Sequence, residues 1–159
     1  MRREAALLEH VVGAADTRVW ARNYSLGLLA RLDAHDGRWR AALAKLDQLK
    51  PGTKPVGRVV FHNHLHERFL RATVLNALGD ARGALAAYQC MSDVFIVDHA
   101  YLGPCALREA EIDESLGRRD EAIRRYRFFC RLWSTCDPDL RPVLEQARQR
   151  LARLERTSG

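Results

Sequence analysis

The chain has 159 residues, enough for a domain with its own core, and its 47% hydrophobic content places it with globular rather than disordered proteins. Its 26 basic and 20 acidic residues leave a net charge of +6, and no apolar run approaches the roughly 18 residues that a membrane span requires. The four cysteines (Cys90, Cys105, Cys130, Cys136) contain no Cys-x-x-Cys pair, so they read as reduced thiols used as small apolar residues, and a cytoplasmic location is expected.

In chain order, residues 1–15 predict a short capping helix whose apolar side is Leu7, Leu8, Val11 and Val12. Glu4 and Glu9 interrupt this stretch, so it does not read as a signal peptide. Residues 17–50 predict a first helical hairpin. Asp16 or Thr17 is placed to cap a helix over about 18–35 that carries Trp20, Tyr24, Leu28, Leu29 and Leu32. Gly37 ends that helix, and Trp39 to Leu49 is its partner, with Leu43, Leu46 and Leu49 on one side. Pro51-Gly52-Thr53-Lys54-Pro55 is the clearest linker.

A second hairpin is expected over 59–92, with Phe61, Leu65, Phe69, Val74, Leu75 and Leu78 on its first helix, then Gly79 and Asp80. Val94-Phe95-Ile96-Val97 reads either as a short strand or as an apolar plug in the following loop. A third hairpin covers 102–134. Gly103-Pro104 is expected to restart a helix with proline in its first turn, and the partner helix carries Ala122, Tyr126, Phe129 and Trp133. Asp137-Pro138 opens a closing helix over 138–156 whose stripe is Leu140, Val143, Leu144, Ala147, Leu151 and Leu154. Such a helix would cover the open end of a repeat array.

The three hairpins share a signature. Gly117 is followed after five residues by Ala122 and after nine by Tyr126; Gly79 is followed in the same way by Ala84 and Tyr88, and Gly37 by Ala42 and Leu46. The small residue and the large one lie on one helix face, so the hairpin's two helices approach closely beside a filling side chain. The glycines are 42 and 38 residues apart, a period that marks a helical-hairpin array.

With Ala30, Ala72 and Ala110 each seven residues before a turn glycine, these hairpins resemble tetratricopeptide repeats. The pattern departs from that family four residues before the glycine, where Leu75 fits but Asp33 and Asp113 do not. Over 65–154, the segments His66–Ala72, Leu107–Ile112 and Trp133–Leu140 resemble the C-terminal repeat regions of bacterial serine/threonine protein kinases and transcriptional-activator regulators. No phosphate-binding glycine loop or kinase motif accompanies them. The resemblance implies an all-α, right-handed solenoid of about three hairpins with capping helices at both ends, forming one domain over 1–159. It implies a non-enzymatic scaffold or regulatory module of bacterial signalling, either stand-alone or a detached segment of a larger regulator, with no cofactor.

In that family the first helix of each hairpin lines a concave groove that receives a peptide or protein. The corresponding residues here are Tyr24, Gly27 and Arg31; His66, Phe69, Thr73 and Asn76; and Leu107, Glu111 and Glu114. The Lys–Asn clamp by which some members hold a C-terminal carboxylate is absent, since its places hold Gly27 and Arg31, Phe69 and Thr73, and Leu107 and Glu111. An aromatic or aliphatic anchor beside Phe69 and Leu107 is the expected contact, and self-association is a further use of such a surface.

Other chemistry is thinly supported. His62 and His66 stand i, i+4 on a helix and could share a metal ion, but no third ligand converges on them. His99 with Cys105 lacks an orienting group for nucleophilic catalysis. Glu109 with Asp113 and Glu111 with Glu114 read as a solvated helix face, with Arg108 in reach of Glu111. From Arg118 onward there are 11 arginines against 6 acidic residues, which is either a solvated face or a footprint for nucleic acid, the alternative partner.

Overall fold

The computed structural model describes residues 1–13, 15–50, 64–91 and 99–156, with residues 15 and 16 as backbone only. Among them are eight α-helices and no strand. They are α1 (Arg2–Glu9), α2 (Ala15–His35), α3 (Trp39–Leu46), α4 (Leu65–Ala77), α5 (Ala81–Gln89), α6 (His99–Ser115), α7 (Arg119–Leu132) and α8 (Arg141–Arg156), with a 3-10 turn at Pro138–Leu140. The expected linker at 51–55, the start of the helix expected from Val59 with Phe61, and the Val94–Val97 segment lie outside the described residues. The chain divides into two compact units, residues 1–84 and 85–159.

Three helix ends close in the same way. Gly37, Gly79 and Gly117 have φ of +74°, +88° and +71°. Each glycine N–H donates to the carbonyl three residues back: Ala34 at 3.1 Å, Asn76 at 3.0 Å and Glu114 at 3.1 Å. The following N–H reaches five residues back, to Asp33 at 2.7 Å, Leu75 at 3.0 Å and Asp113 at 2.8 Å. This is the Schellman closure, which satisfies two carbonyls that the helix leaves without partners. Nothing lies within 4 Å of a Cβ built on any of the three, so the backbone conformation alone demands glycine.

Ala30, Ala42, Ala72, Ala84, Ala110 and Ala122, the small residues of the three hairpin signatures, are all 0% exposed. In the first unit Ala30, Ala34, Ala42, Leu46 and Val74 form a core, with Leu43, Leu49 and Leu70 packed around it. In the second unit the core is Ala106, Ala110, Ala122, Tyr126, Phe129, Leu144 and Ala147. Burying a large side chain such as Phe129 stabilises by about 1.5–3 kcal/mol, so the aromatic residues on α7 anchor that unit.

At several places the structure departs from these expectations. Leu7 and Val12 are exposed, and α1 instead packs through Ala5, because a small residue lets the helix axes approach. Along α2 the buried positions include Asn23 and Ser25, while Tyr24 is exposed. That helix begins at Ala15, so Asp16 and Thr17 lie within its first turn rather than capping it. Helix α6 begins at His99, which places Pro104 inside it. Gly103 is there for contact: a Cβ would lie 2.2 Å from Trp133 Nε1. The closing segment is a 3-10 turn followed by α8, and Leu140 is exposed.

Glu109 and Asp113 are 4% and 2% exposed, not on a solvated face. Asp33 and Asp113 occupy equivalent places four residues before a turn glycine, and each faces the arginine just after it. Their surroundings differ. Asp33 is bound by Lys45 and by Arg38 at 2.9 and 2.6 Å, and the Lys45 hydrogen bond, opposed by burial and aided by Arg38, holds its carboxyl below the usual carboxylate range. Asp113 has Arg118 only at 3.7 Å. The residue in Lys45's place, Arg125, lies 2.8 Å from Glu109 Oε2 instead. That approach is close enough for an ion pair but is not aligned as a hydrogen bond, so Glu109 Oε2 and Asp113 Oδ1 have no hydrogen-bond partner among the described residues. Burial therefore pushes the carboxyls of both Asp113 and Glu109 up, against the pull of the arginines.

Candidate functional site

Within the first unit, the face expected to meet a partner is organised by a glycine. Gly27 is buried in α2, and a Cβ there would lie 2.5 Å from Glu67 Oε1 of α4. The missing side chain lets a carboxylate lie against α2. Tyr24 and Arg31 stand one turn either side of Gly27. Partial burial and then the Glu67 charge raise the pKa of the Tyr24 hydroxyl. Burial and the Arg31 charge lower that of His66, opposed by Glu67. Burial pushes Glu67 up, but His64, its own backbone N–H and Arg31 outweigh this and hold it below the usual range. Tyr24, Arg31 and His66 thus share one electrostatic neighbourhood centred on Glu67, a residue outside the expected groove set.

His64 fixes the start of α4. It has φ +53°, a left-handed conformation that a non-glycine residue rarely adopts. Its ring stacks on Trp20 with centroids 5.7 Å apart and planes at 26°. The Asn23 amide nitrogen donates to the Lys50 carbonyl at 2.8 Å and lies 3.3 Å from His64 Nε2. Lys50 N–H donates back to Asn23 Oδ1 at 3.2 Å. On the other side of the ring, His64 Nδ1 lies 3.7 Å from Glu67 Oε2. A pocket of about 300 Å³ opens beside these groups, lined by Leu46, Leu49, Lys50, His64, Glu67, Arg68 and Arg71.

The other expected residues divide. Phe69 is half-buried and Asn76 is exposed, both on α4. The Thr73 hydroxyl donates to the Phe69 carbonyl at 3.1 Å, so it is occupied by its own helix. In the second unit, Leu107 packs against the α6–α7–α8 core. Glu111 is ion-paired with Arg108 at 2.7 Å, as expected, and with Arg150 at 3.5 Å. Glu114 accepts from Tyr126 at 2.8 Å and pairs with Arg150 and Arg153. These carboxylates tie α6 to α8.

His62 lies outside the described residues, and no group of three His, Cys, Asp or Glu placed to hold a metal ion occurs among those described. Cys105 is buried with its sulfur 3.6 Å from Met91 Sδ, which presents no nucleophile to solvent. Among the described residues no helix is long and apolar enough to cross a membrane. No protein-family model matches the chain, and no curated protein or solved structure is detectably similar to it.

Proposed function

We propose that the chain is a protein-interaction module built from tetratricopeptide-like helical hairpins, whose α2–α4 face receives a peptide or protein partner. The observation that carries this reading is the Gly27–Glu67 contact, which gathers Tyr24, Arg31 and His66 around one carboxylate on a partly exposed surface. A phenol, a guanidinium and an imidazole there suit a partner that offers a carboxylate next to an apolar or aromatic side chain. The role is non-enzymatic, and the same face serves equally for docking within a larger regulator.

The nucleic-acid alternative finds less support. Several arginines from Arg118 onward are held in partly buried contacts with the protein's own oxygens: Arg119 to the Leu154 carbonyl at 2.9 Å, Arg125 to Glu109 at 2.8 Å and Arg150 to Tyr126 at 3.1 Å.

A peptide array probed with the wild type and with Tyr24→Ala and Arg31→Glu variants tests the proposal. Peptides bearing an acidic residue beside an apolar one should bind the wild type and lose about tenfold in affinity, or about 1.4 kcal/mol, with either variant. Equal binding by all three proteins would remove the α2–α4 face from the reading.

A further inference from the structure

Along α7, Arg124, Arg127 and Arg131 recur at intervals of three and four residues and share one helix face. With Arg148 of α8 they surround a pocket of about 650 Å³ whose apolar lining is Cys130 and Leu151, and no carboxylate is among its lining residues. Three of the arginines have carboxylate neighbours outside the pocket: Arg124 with Glu121 at 2.9 Å, Arg127 with Glu155 at 2.7 Å and Arg148 with Glu145 at 3.5 Å. Both members of every pair are at least 39% exposed. Pairs of this kind contribute about 0–1 kcal/mol, so a partner's carboxylates can replace them at little loss. Arg131 has no ion pair among the described residues. On the same helix, Phe128 and Leu132 stand i, i+4 and are 37% and 45% exposed.

We propose that this α7–α8 face binds an acidic amphipathic segment of a partner protein, with carboxylates over the arginine row and an apolar side chain against Phe128 and Leu132. The arginine row spans seven residues, about 10.5 Å, which equals two turns of a partner helix carrying acidic residues at i, i+3 and i+7. The apolar strip beside the charges favours a polypeptide, because a phosphate backbone offers it nothing. Single-strand nucleic-acid sites also rely on open aromatic platforms. Here Phe128 is exposed but stands without a neighbouring platform on α7, since Tyr126 and Phe129 are fully buried and Trp133 packs on Phe129 with centroids 4.8 Å apart. This surface belongs to the second unit and does not depend on the α2–α4 reading.

The test uses a fluorescein-labelled synthetic helix of about 16 residues, with Glu at i, i+3 and i+7 and Leu at i+4, read by anisotropy. Arg131→Glu and the Arg124→Gln/Arg131→Gln double variant should weaken binding by about tenfold or more. Arg156→Glu, an equal charge change at another exposed arginine, should change it by less than about twofold. Phe128→Ser should weaken binding even at high salt, where the charge contribution is screened. The proposal fails if Arg156→Glu weakens binding as much as Arg131→Glu, if the labelled helix does not bind at low salt, or if a duplex DNA or single-stranded RNA of equal charge binds more tightly. Far-UV circular dichroism of each variant separates loss of binding from loss of fold.

Discussion

Gly103→Ala is the substitution that sets helix propensity against packing most directly. Alanine in a helix interior is favoured over glycine by about 0.8–1 kcal/mol, so on propensity alone the variant would be more stable. The structure opposes this. A Cβ at Gly103 would lie 2.2, 2.9 and 3.0 Å from Nε1, Cε2 and Cδ1 of Trp133. Carbon contacts settle near 3.5–4 Å, so the indole must retreat by about 1.3 Å or more. Its path inward is closed by Phe129, a fully buried ring 4.8 Å away at 43°. Trp133 must therefore rotate outward and weaken an aromatic pair worth about 0.5–1.5 kcal/mol. Overpacking of this kind costs about 1–3 kcal/mol in all. A 2.2 Å approach to an indole already backed by Phe129 belongs in the upper part of that range, about 2–3 kcal/mol, so the clash wins over propensity and a net loss of about 1–2 kcal/mol is expected, lowering Tm by about 2–4 °C for each kcal/mol. Urea denaturation followed by circular dichroism measures the difference. In a Trp133→Phe background the smaller ring leaves room, so the same Gly103→Ala change should become neutral or stabilising. A Gly103→Ala protein as stable as the wild type would refute the reasoning.

The twin acids give a prediction with opposite signs. Asp33 has a lowered carboxyl pKa, so its ionised form stabilises the fold above the unfolded-state pKa, and that contribution disappears as pH falls through the folded-state value. Asp113 and Glu109 have raised values, so their contribution is complete below the unfolded-state pKa and is lost as pH rises through the folded-state value. Asp33→Asn should destabilise at pH 7, Asp113→Asn should be neutral or stabilising there, and Glu109→Gln should flatten the decline of stability with rising pH; parallel urea curves at pH 4 and 7 decide. Ala122→Leu should overpack α6 against α7 at a cost of about 1–3 kcal/mol, seen as a lower thermal midpoint. Gly117→Ala, at φ +71° with open space around it, should lose about 1–2 kcal/mol from backbone strain alone, which scanning calorimetry detects.

The turns were legible because glycine in the left-handed region has few substitutes, and the six alanines because a helix crossing excludes larger side chains. The buried faces of α1 and α2 were not. Apolar periodicity points to Leu7 and Val12, whereas Ala5, Asn23 and Ser25 are what the packing covers. Periodicity ranks residues by transfer to an apolar phase and is blind to a small residue that permits close approach or a polar one that finds partners. Of the candidate site, Tyr24, Arg31 and His66 were expected from the tetratricopeptide resemblance, and the structure brings them around one carboxylate. Glu67, which relates them, was not expected, because an isolated helical carboxylate reads as solvated. The signal that would have found it was Gly27, a mid-helix glycine with no turn to make.

Asn23 has a consequence for what the chain can tolerate. One side-chain amide holds Lys50 through both carbonyl and N–H and also meets the His64 ring. Lys50 and His64 are therefore moored to the same group on α2. A change at Asn23 itself would release both moorings at once.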